Sequence, residues 1–501
     1  MSNIAEQENP SDPVPKPARV KPRLFSREWV AENTRHFIIG LVFAVIFAFF
    51  APWAITKCSE MGSAGKVTIL VPVQGDARPD AGPDEPYQDK ISNDVLHTIR
   101  NACLAFEDEH RDIPWLRDNI VFRDYVEGKD KDERIATAEK QIKMAANDGR
   151  PVVAVIGHTT SQATLDAAPA YARHQLPVLM PYATRTGIAA EVCQVTSDKE
   201  RVPRALSFPP SNKVQAKSIA AFLMKPSRGV HSVVLFRDAA NHAYSDDCGS
   251  ELLKILESDT SGPGNTPRVE IVGDIAVGGA DGHWYVSQDV VNARADAFVV
   301  IAMTKPSLEI VRQVARSDPR GWPKMIVLTD GAIDDNLIPR ITPAVKTPDS
   351  TINVEGREVA KPFPRVFIAF PESDVQPGGY ELVFTTPKAG GKPVTGLSHA
   401  AYLADCIYLA YSTAAAILKK GRVKDAPHTF VDALDSSIKW GKNGGSILAD
   451  ALVSKKRAYF FLPTGARDPE AGDSGVVYTL FRINPATVDR PEKQGYDREP
   501  N

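Results

Sequence analysis

The feature that most constrains this chain is a regular alternation of short, uninterrupted apolar runs with amphipathic stretches. Val67 to Val73 (VTILVPV) and Val152 to Ile156 (VVAVI) carry no charge at any position. A strand exposed on one face would alternate apolar and polar residues, so continuous runs mark strands buried on both faces. Between them, Ile91, Val95, Ile99, Cys103 and Phe106 recur at spacings of three and four, which predicts a helix. Further strands are predicted at Ile120 to Tyr125 and Pro177 to Met180, and helices at Asp132 to Asn147 and Ser161 to His174.

The rhythm restarts after Phe208. Helices are predicted over Val214 to Met224, Asp247 to Glu257 and Pro306 to Arg316. Strands are predicted over Val233 to Phe236, Val269 to Val277, Ala297 to Met303, Met325 to Leu328 and Val366 to Ala369. Strands that alternate with helices form parallel sheets with crossover helices. Two such series in 501 residues, too many for one core, imply an α/β protein of two lobes. His399 to Lys419 is apolar on several faces, but Asp405 in its middle marks a buried globular helix rather than a membrane span.

Before the first strand, Phe37 to Ile55 (FIIGLVFAVIFAFFAPWAI) is uncharged. As a helix it extends ~28 Å, the thickness of a hydrocarbon core. Lys16, Arg19, Lys21, Arg23, Arg27 and Arg35 precede it, and only Lys57 and Lys66 follow closely. Positive residues stay inside, so the expectation is one transmembrane helix with a cytoplasmic N-terminus and an extracytoplasmic domain at the cell membrane. A cleaved signal peptide is the rival, with Gly62-Ser63-Ala64 as its cleavage site. Residues 1–36, rich in proline and charge, are predicted to be a disordered tail.

Net charge is −3, from 59 basic and 62 acidic residues, which argues against a nucleic-acid-binding surface. Cys58, Cys103, Cys193, Cys248 and Cys406 form no CxxC pair, so no structural zinc site is expected. Up to two disulfides and buried free thiols both remain open. No GxSxG elbow, HExxH pair or phosphate-binding loop is present. His158 is the one tempting base, without an evident nucleophile. No enzyme activity, metal or cofactor is expected.

Four stretches together resemble the type I periplasmic substrate-binding fold, in the branch of branched-chain amino-acid receptors of ABC transporters. They are VTILVPVQG, then VVAVIGHTTSQATLDAAPAYARHQLPVLMPYAT, then SFPPSNKVQAKSIAAFL, then FRDAANHAYSDDCGSELLKIL. The resemblance covers about residues 66–330 well. It implies an α/β protein of two Rossmann-like lobes with parallel sheets and a hinge, places one lobe at 66–206 and about 372–440 and the other at 207–371 and about 441–485, and leaves 486–501 as a disordered tail.

The candidate ligand residues follow. Gly157 ends a buried strand, and Thr159, Thr160 and Ser161 open a helix, where free N–H groups and hydroxyls suit a ligand carboxylate. The alternative for Thr160 and Ser161 is a helix cap alone. The resemblance implies that the Thr184 hydroxyl meets a carboxylate, that the Ala183 carbonyl meets an ammonium, and that Tyr244 reaches across from the second lobe. It also implies that Asp330 serves an ammonium; an ordinary loop or turn is the alternative at Ala183, Thr184 and Asp330. Arg185 is expected at the surface, and the acidic loop Asp76 to Lys90 either lips the cleft or is simply solvated. The expected function is a membrane-anchored receptor that closes two lobes on an amino acid or related zwitterion for an ABC permease. The alternative is a sensor or scaffold subunit acting through a partner protein.

Overall fold

The computed structural model describes residues 65–73, 116–194, 204–259, 268–278, 294–332, 341, 343–344, 350–354, 357–371, 398–419, 426–441, 444–447, 459–461, 478–483 and 496–498. The expected membrane segment at 37–55, the tail at 1–36, the helix at 91–106, the acidic loop at 76–90, Cys58 and Cys103 lie outside these residues.

Two sheets organise the chain. The first contains β1 (Val67–Val73), β2 (Ile120–Val126), β3 (Val152–Ile156), β4 (Val178–Met180) and β5 (Ala205–Ser207), in the order β2-β1-β3-β4-β5. All its pairings are parallel, with Val67 opposite Ile120 and Val155 opposite Val178. Helices α1 (Lys131–Asn147), α2 (Ser161–Arg173) and α3 (Ile188–Gln194) lie in this part of the chain.

The two-faced burial of β1 explains its continuous apolar run. Val67, Ile69, Val71 and Val73 share a core with later helical residues such as Tyr402, Ile407 and Phe430. Leu70, one pleat over, belongs to the opposite core with Ala138, Ile142 and Ala167. Successive strand side chains point to opposite faces, so helices on both faces require apolar residues at both parities. Thr68 is the polar exception, and its hydroxyl donates to the Arg150 carbonyl at 2.9 Å.

The chain then enters α4 (Asn212–Leu223) and the second sheet. Its strands are β6 (Ser232–Asp238), β7 (Glu270–Val277), β8 (Ala297–Ile301), β9 (Met325–Leu328) and β12 (Arg365–Pro371), with helices α5 (His242–Ser258) and α6 (Thr304–Arg316). A hairpin of β10 (Ser350–Val354) and β11 (Arg357–Lys361) stands apart as its own two-stranded sheet. In β6 the parity again divides: Val233 and Leu235 face the α4–α5 core, Val234 and Phe236 the α6 core.

The chain returns to the first sheet's core through α7 (Ser398–Lys419) and α8 (Ala426–Ser437). Arg204 pairs with Asp435 of α8 through two hydrogen bonds of 2.9 and 3.0 Å. Tyr402, Leu403, Asp405 and Cys406 of α7 are all buried, as expected for a globular helix. Among the described residues no helix is long and apolar enough to cross a membrane. A small antiparallel sheet follows, made of β13 (Lys439–Gly441), β14 (Gly444–Ile447) and β15 (Tyr459–Phe461).

The last strands, β16 (Tyr478–Ile483) and β17 (Tyr496–Arg498), extend the second sheet to the order β17-β16-β12-β9-β8-β6-β7. β17 lies within the stretch 486–501 expected to be a disordered tail, the rest of which is outside the described residues. It pairs antiparallel with β16, so backbone hydrogen bonds to a sheet edge hold a segment too short to show an apolar pattern. Cys248 and Cys406 are buried free thiols, the second of the two alternatives left open.

Ile407 is fully buried in the core that α7 shares with the first sheet. Ile407→Ala is expected to cost ~2–5 kcal/mol of unfolding free energy by chemical denaturation. Val359→Ala on the exposed hairpin is expected to stay within about 0.5 kcal/mol of the parent.

Candidate functional site

The first sheet ends its strands at a turn that only glycine can make. Gly157 follows β3 with φ +143°. A Cβ built there would stand 2.8 Å from Pro72 Cγ and 3.2 Å from the Pro72 carbonyl oxygen. The Gly157 N–H still donates to the Leu179 carbonyl at 3.0 Å, so the turn begins in register with β4. His158, Thr159 and Thr160 then lead into α2.

Thr160 is the N-cap of α2. Its hydroxyl accepts from the Ala163 N–H at 3.1 Å. Its carbonyl accepts from the Thr164 hydroxyl at 2.8 Å. The capping alternative is therefore filled by Thr160. Ser161 does something else: it is buried, and its hydroxyl accepts from the Arg185 N–H at 3.3 Å. That bond joins the turn after β3 to the loop after β4. Thr159 is half-buried.

The loop after β4 carries Ala183 and Thr184, both buried. The Ala183 carbonyl, expected to face an ammonium, accepts from the Ser207 hydroxyl at 3.0 Å. The Thr184 carbonyl accepts from the Asn212 N–H at 2.7 Å, where α4 begins. Arg185 pairs with Glu191 of α3.

Asp247 of α5 reaches this loop from the second sheet. Its Oδ2 accepts from the Thr186 N–H at 2.8 Å and from Asn212 Nδ2 at 2.9 Å. Burial raises its carboxyl above the usual range, and the Thr186 and Asn212 bonds oppose that shift. Asn212 Nδ2 also donates to the Tyr244 carbonyl at 3.2 Å. One carboxylate thus ties a first-sheet loop to two second-sheet helices.

The second sheet presents its own strand ends. Asp238, buried at the end of β6, accepts from the Ala240 N–H at 2.9 Å and the Met303 N–H at 3.2 Å. Burial raises this carboxyl too. Tyr244 and Asp330 come together: the Tyr244 hydroxyl donates to Asp330 Oδ1 at 2.6 Å. It also lies 3.2 Å from the Gln215 amide oxygen, and the Gly331 N–H approaches at 3.4 Å. The expectation that Tyr244 reaches across to the first lobe is corrected here. Its ring packs among Ala216, Ile219 and Leu252 of its own lobe. A buried phenol needs a partner, and Asp330 supplies it. Burial and the nearby Asp330 charge push the Tyr244 hydroxyl well up, so it keeps its proton.

The seven anticipated residues therefore fall into two groups. Thr159, Thr160, Ser161, Ala183 and Thr184 lie on adjoining loops at the carboxyl ends of β3 and β4. Tyr244 and Asp330 form a pair beside the second sheet. The joining residues Asn212, Thr186 and Asp247 were not anticipated. Their roles depend on contacts between residues 28 to 61 positions apart, and a lone Asn or Asp carries no spacing signal.

No family model matches the chain, and no curated protein matches it. Solved structures do. The substrate-binding protein LivJ of a branched-chain amino-acid transporter from Streptococcus pneumoniae, in complex with isoleucine, matches with TM-score 0.52 at 16% identity, covering 83% of this chain and 95% of that one. The leucine-binding protein LivK from Thermotoga maritima matches with TM-score 0.54 at 14% identity, over 87% and 98%. An ABC-transporter solute-binding protein from Rhodopseudomonas palustris, in complex with 3,4-dihydroxybenzoic acid, matches with TM-score 0.51 at 15% identity, over 84% and 92%. At such identities the likeness shows the fold: α/β with parallel sheets, as in type I periplasmic binding proteins.

Asp247→Ala removes the shared acceptor of Thr186 and Asn212. The expected loss is ~1–3 kcal/mol in chemical denaturation, because two part-buried donors are left without it. Asp247→Asn keeps one acceptor oxygen and is expected to recover part of that loss.

Proposed function

We propose that this protein is an extracytoplasmic receptor that closes its two lobes on a small polar ligand, an amino acid or related zwitterion, for delivery to an ABC transporter. The observation that carries the reading is the junction of the β3 and β4 exits through Ser161 and the Arg185 N–H. It gathers hydroxyls and the amino end of α2 at the carboxyl ends of parallel strands. Ligands of open α/β sheets bind there, and helix amino ends favour a carboxylate. In this reading Thr159, Thr160, Ser161 and Thr184 meet the carboxylate, Ala183 and Asp330 serve the ammonium side, and Tyr244 acts through its hydrogen bond to Asp330. Binding requires a hinge motion and no covalent chemistry. Phe37 to Ile55 anchors the receptor in the cell membrane, with residues 1–36 in the cytoplasm.

A second reading, a sensor or scaffold subunit working through a partner protein, is favoured by one observation. Asp247 already joins the lobes through Thr186 and Asn212, using only groups of the chain itself.

Thermal denaturation of the full chain in detergent tests the first reading, with amino acids and aromatic acids added singly. A ligand at 100 times its Kd is expected to add about 2.7 kcal/mol to the unfolding free energy. Ser161→Ala and Thr184→Ala are each expected to weaken binding about tenfold, the worth of one charge-assisted hydrogen bond. If no compound raises the midpoint, the receptor reading falls and the scaffold reading stands. For the anchor, the full chain is expected in the membrane fraction after alkaline washing, and a chain lacking residues 1–60 in the supernatant.

A further inference from the structure

The turn that opens α2 rests on a buried polar chain that the ligand reading does not use. His158, fully buried, stands between two partners. Its Nδ1 is hydrogen-bonded to Glu127 Oε2, and its Nε2 lies 2.8 Å from the Tyr171 hydroxyl. The Tyr171 hydroxyl lies 2.7 Å from that of Tyr125. All four residues are more than nine-tenths buried.

Their origins matter more than their number. Tyr125 and Glu127 come from the end of β2, His158 from the turn after β3, and Tyr171 from the third turn of α2. The Glu127 N–H donates to the Val73 carbonyl at 3.0 Å, so its backbone is fixed to the end of β1. The chain of bonds starts on β2, passes through the turn and the helix, and returns to β2. An ionised carboxylate only accepts, so Nδ1 carries a proton and donates to Glu127. Burial pushes the Tyr125 and Tyr171 hydroxyls well up, so both remain protonated. With both ring nitrogens engaged, the imidazole cannot turn without breaking two buried bonds. Among the described residues, Glu127 Oε1 has no partner, which leaves His158 as the donor on which this buried carboxylate depends.

An acid, an imidazole and a hydroxyl in line also describe a nucleophilic triad. Tyr171 is buried beyond the reach of a substrate and keeps its proton, so the arrangement serves geometry instead.

We propose that Tyr125, Glu127, His158 and Tyr171 form a positioning network that holds the Thr159–Ser161 turn in its binding shape. The inference rests on the ligand role of that turn, but the network itself can be tested without any ligand. The experiment is hydrogen exchange by mass spectrometry on the full chain in detergent, comparing the parent with Tyr171→Phe, Glu127→Ala and Glu127→Gln. Tyr171→Phe and Glu127→Ala are expected to speed exchange of peptides spanning 157–165 about tenfold, with peptides of the second lobe unchanged. Glu127→Gln retains an acceptor for Nδ1 and is expected to keep the turn close to parental exchange. Parental exchange in all three variants overturns the network, as does acceleration spread evenly over both lobes. A calorimetric titration with L-leucine and L-isoleucine runs beside it. If the parent binds either one, Tyr171→Phe is expected to weaken binding about tenfold or more, and undiminished binding overturns the positioning role. If the parent binds neither, amino-acid capture is what fails, while the exchange result still decides the network.

Discussion

Everything in this molecule depends on parallel strands that are covered on both faces. A parallel sheet cannot be closed by hairpins, so each strand needs a crossover, and the crossover helices bury the sheet. In β1 and β6 neighbouring residues enter different cores. The arrangement aligns the carboxyl ends of the parallel strands β1 to β5 on one edge of the first sheet, and those of β6, β7, β8, β9 and β12 on one edge of the second, where only β16 and β17 run antiparallel to their neighbours. Loops on that edge are free to carry polar groups, since the strands beneath them are already stabilised by the cores.

Polar groups at those edges are joined pairwise rather than left open. Ser161 meets Arg185, Asp238 spans β6 and β8, Tyr244 meets Asp330, and Asp247 of α5 holds the loop after β4. Each bond satisfies a buried donor or acceptor that would otherwise cost free energy. The same economy shapes the His158 chain, where one imidazole reaches from a carboxylate on β2 to a hydroxyl on α2.

Much of the fold was legible in the chain. Runs such as VTILVPV and VVAVI could only be doubly buried strands, and each lies within a residue or two of its expected bounds. What was missed has a common physical character. The strands β5 and β17 are three residues each, and hairpin β10–β11 is largely exposed. Such elements are held by backbone pairing rather than by an apolar face, so they leave no periodic trace. At the site, Thr160 and Ser161 were visible from the strand–glycine–hydroxyl order. Asp247 and Asn212 were not, because their meaning comes from segments that meet only in space.

The amino-acid order alone determined the α/β class, the strands of the two large parallel sheets and the strand end at Gly157, since strand burial and backbone sterics are local properties. Tertiary structure alone decided which polar groups meet. Tyr244 was expected to reach out of its lobe, yet it turns inward to Asp330, because burying a phenol demands an acceptor and a carboxylate 86 positions away lies within 2.6 Å. His158 likewise looked like a lone base. Its surroundings make it a strut, because Glu127 and Tyr171 occupy both faces of its chemistry.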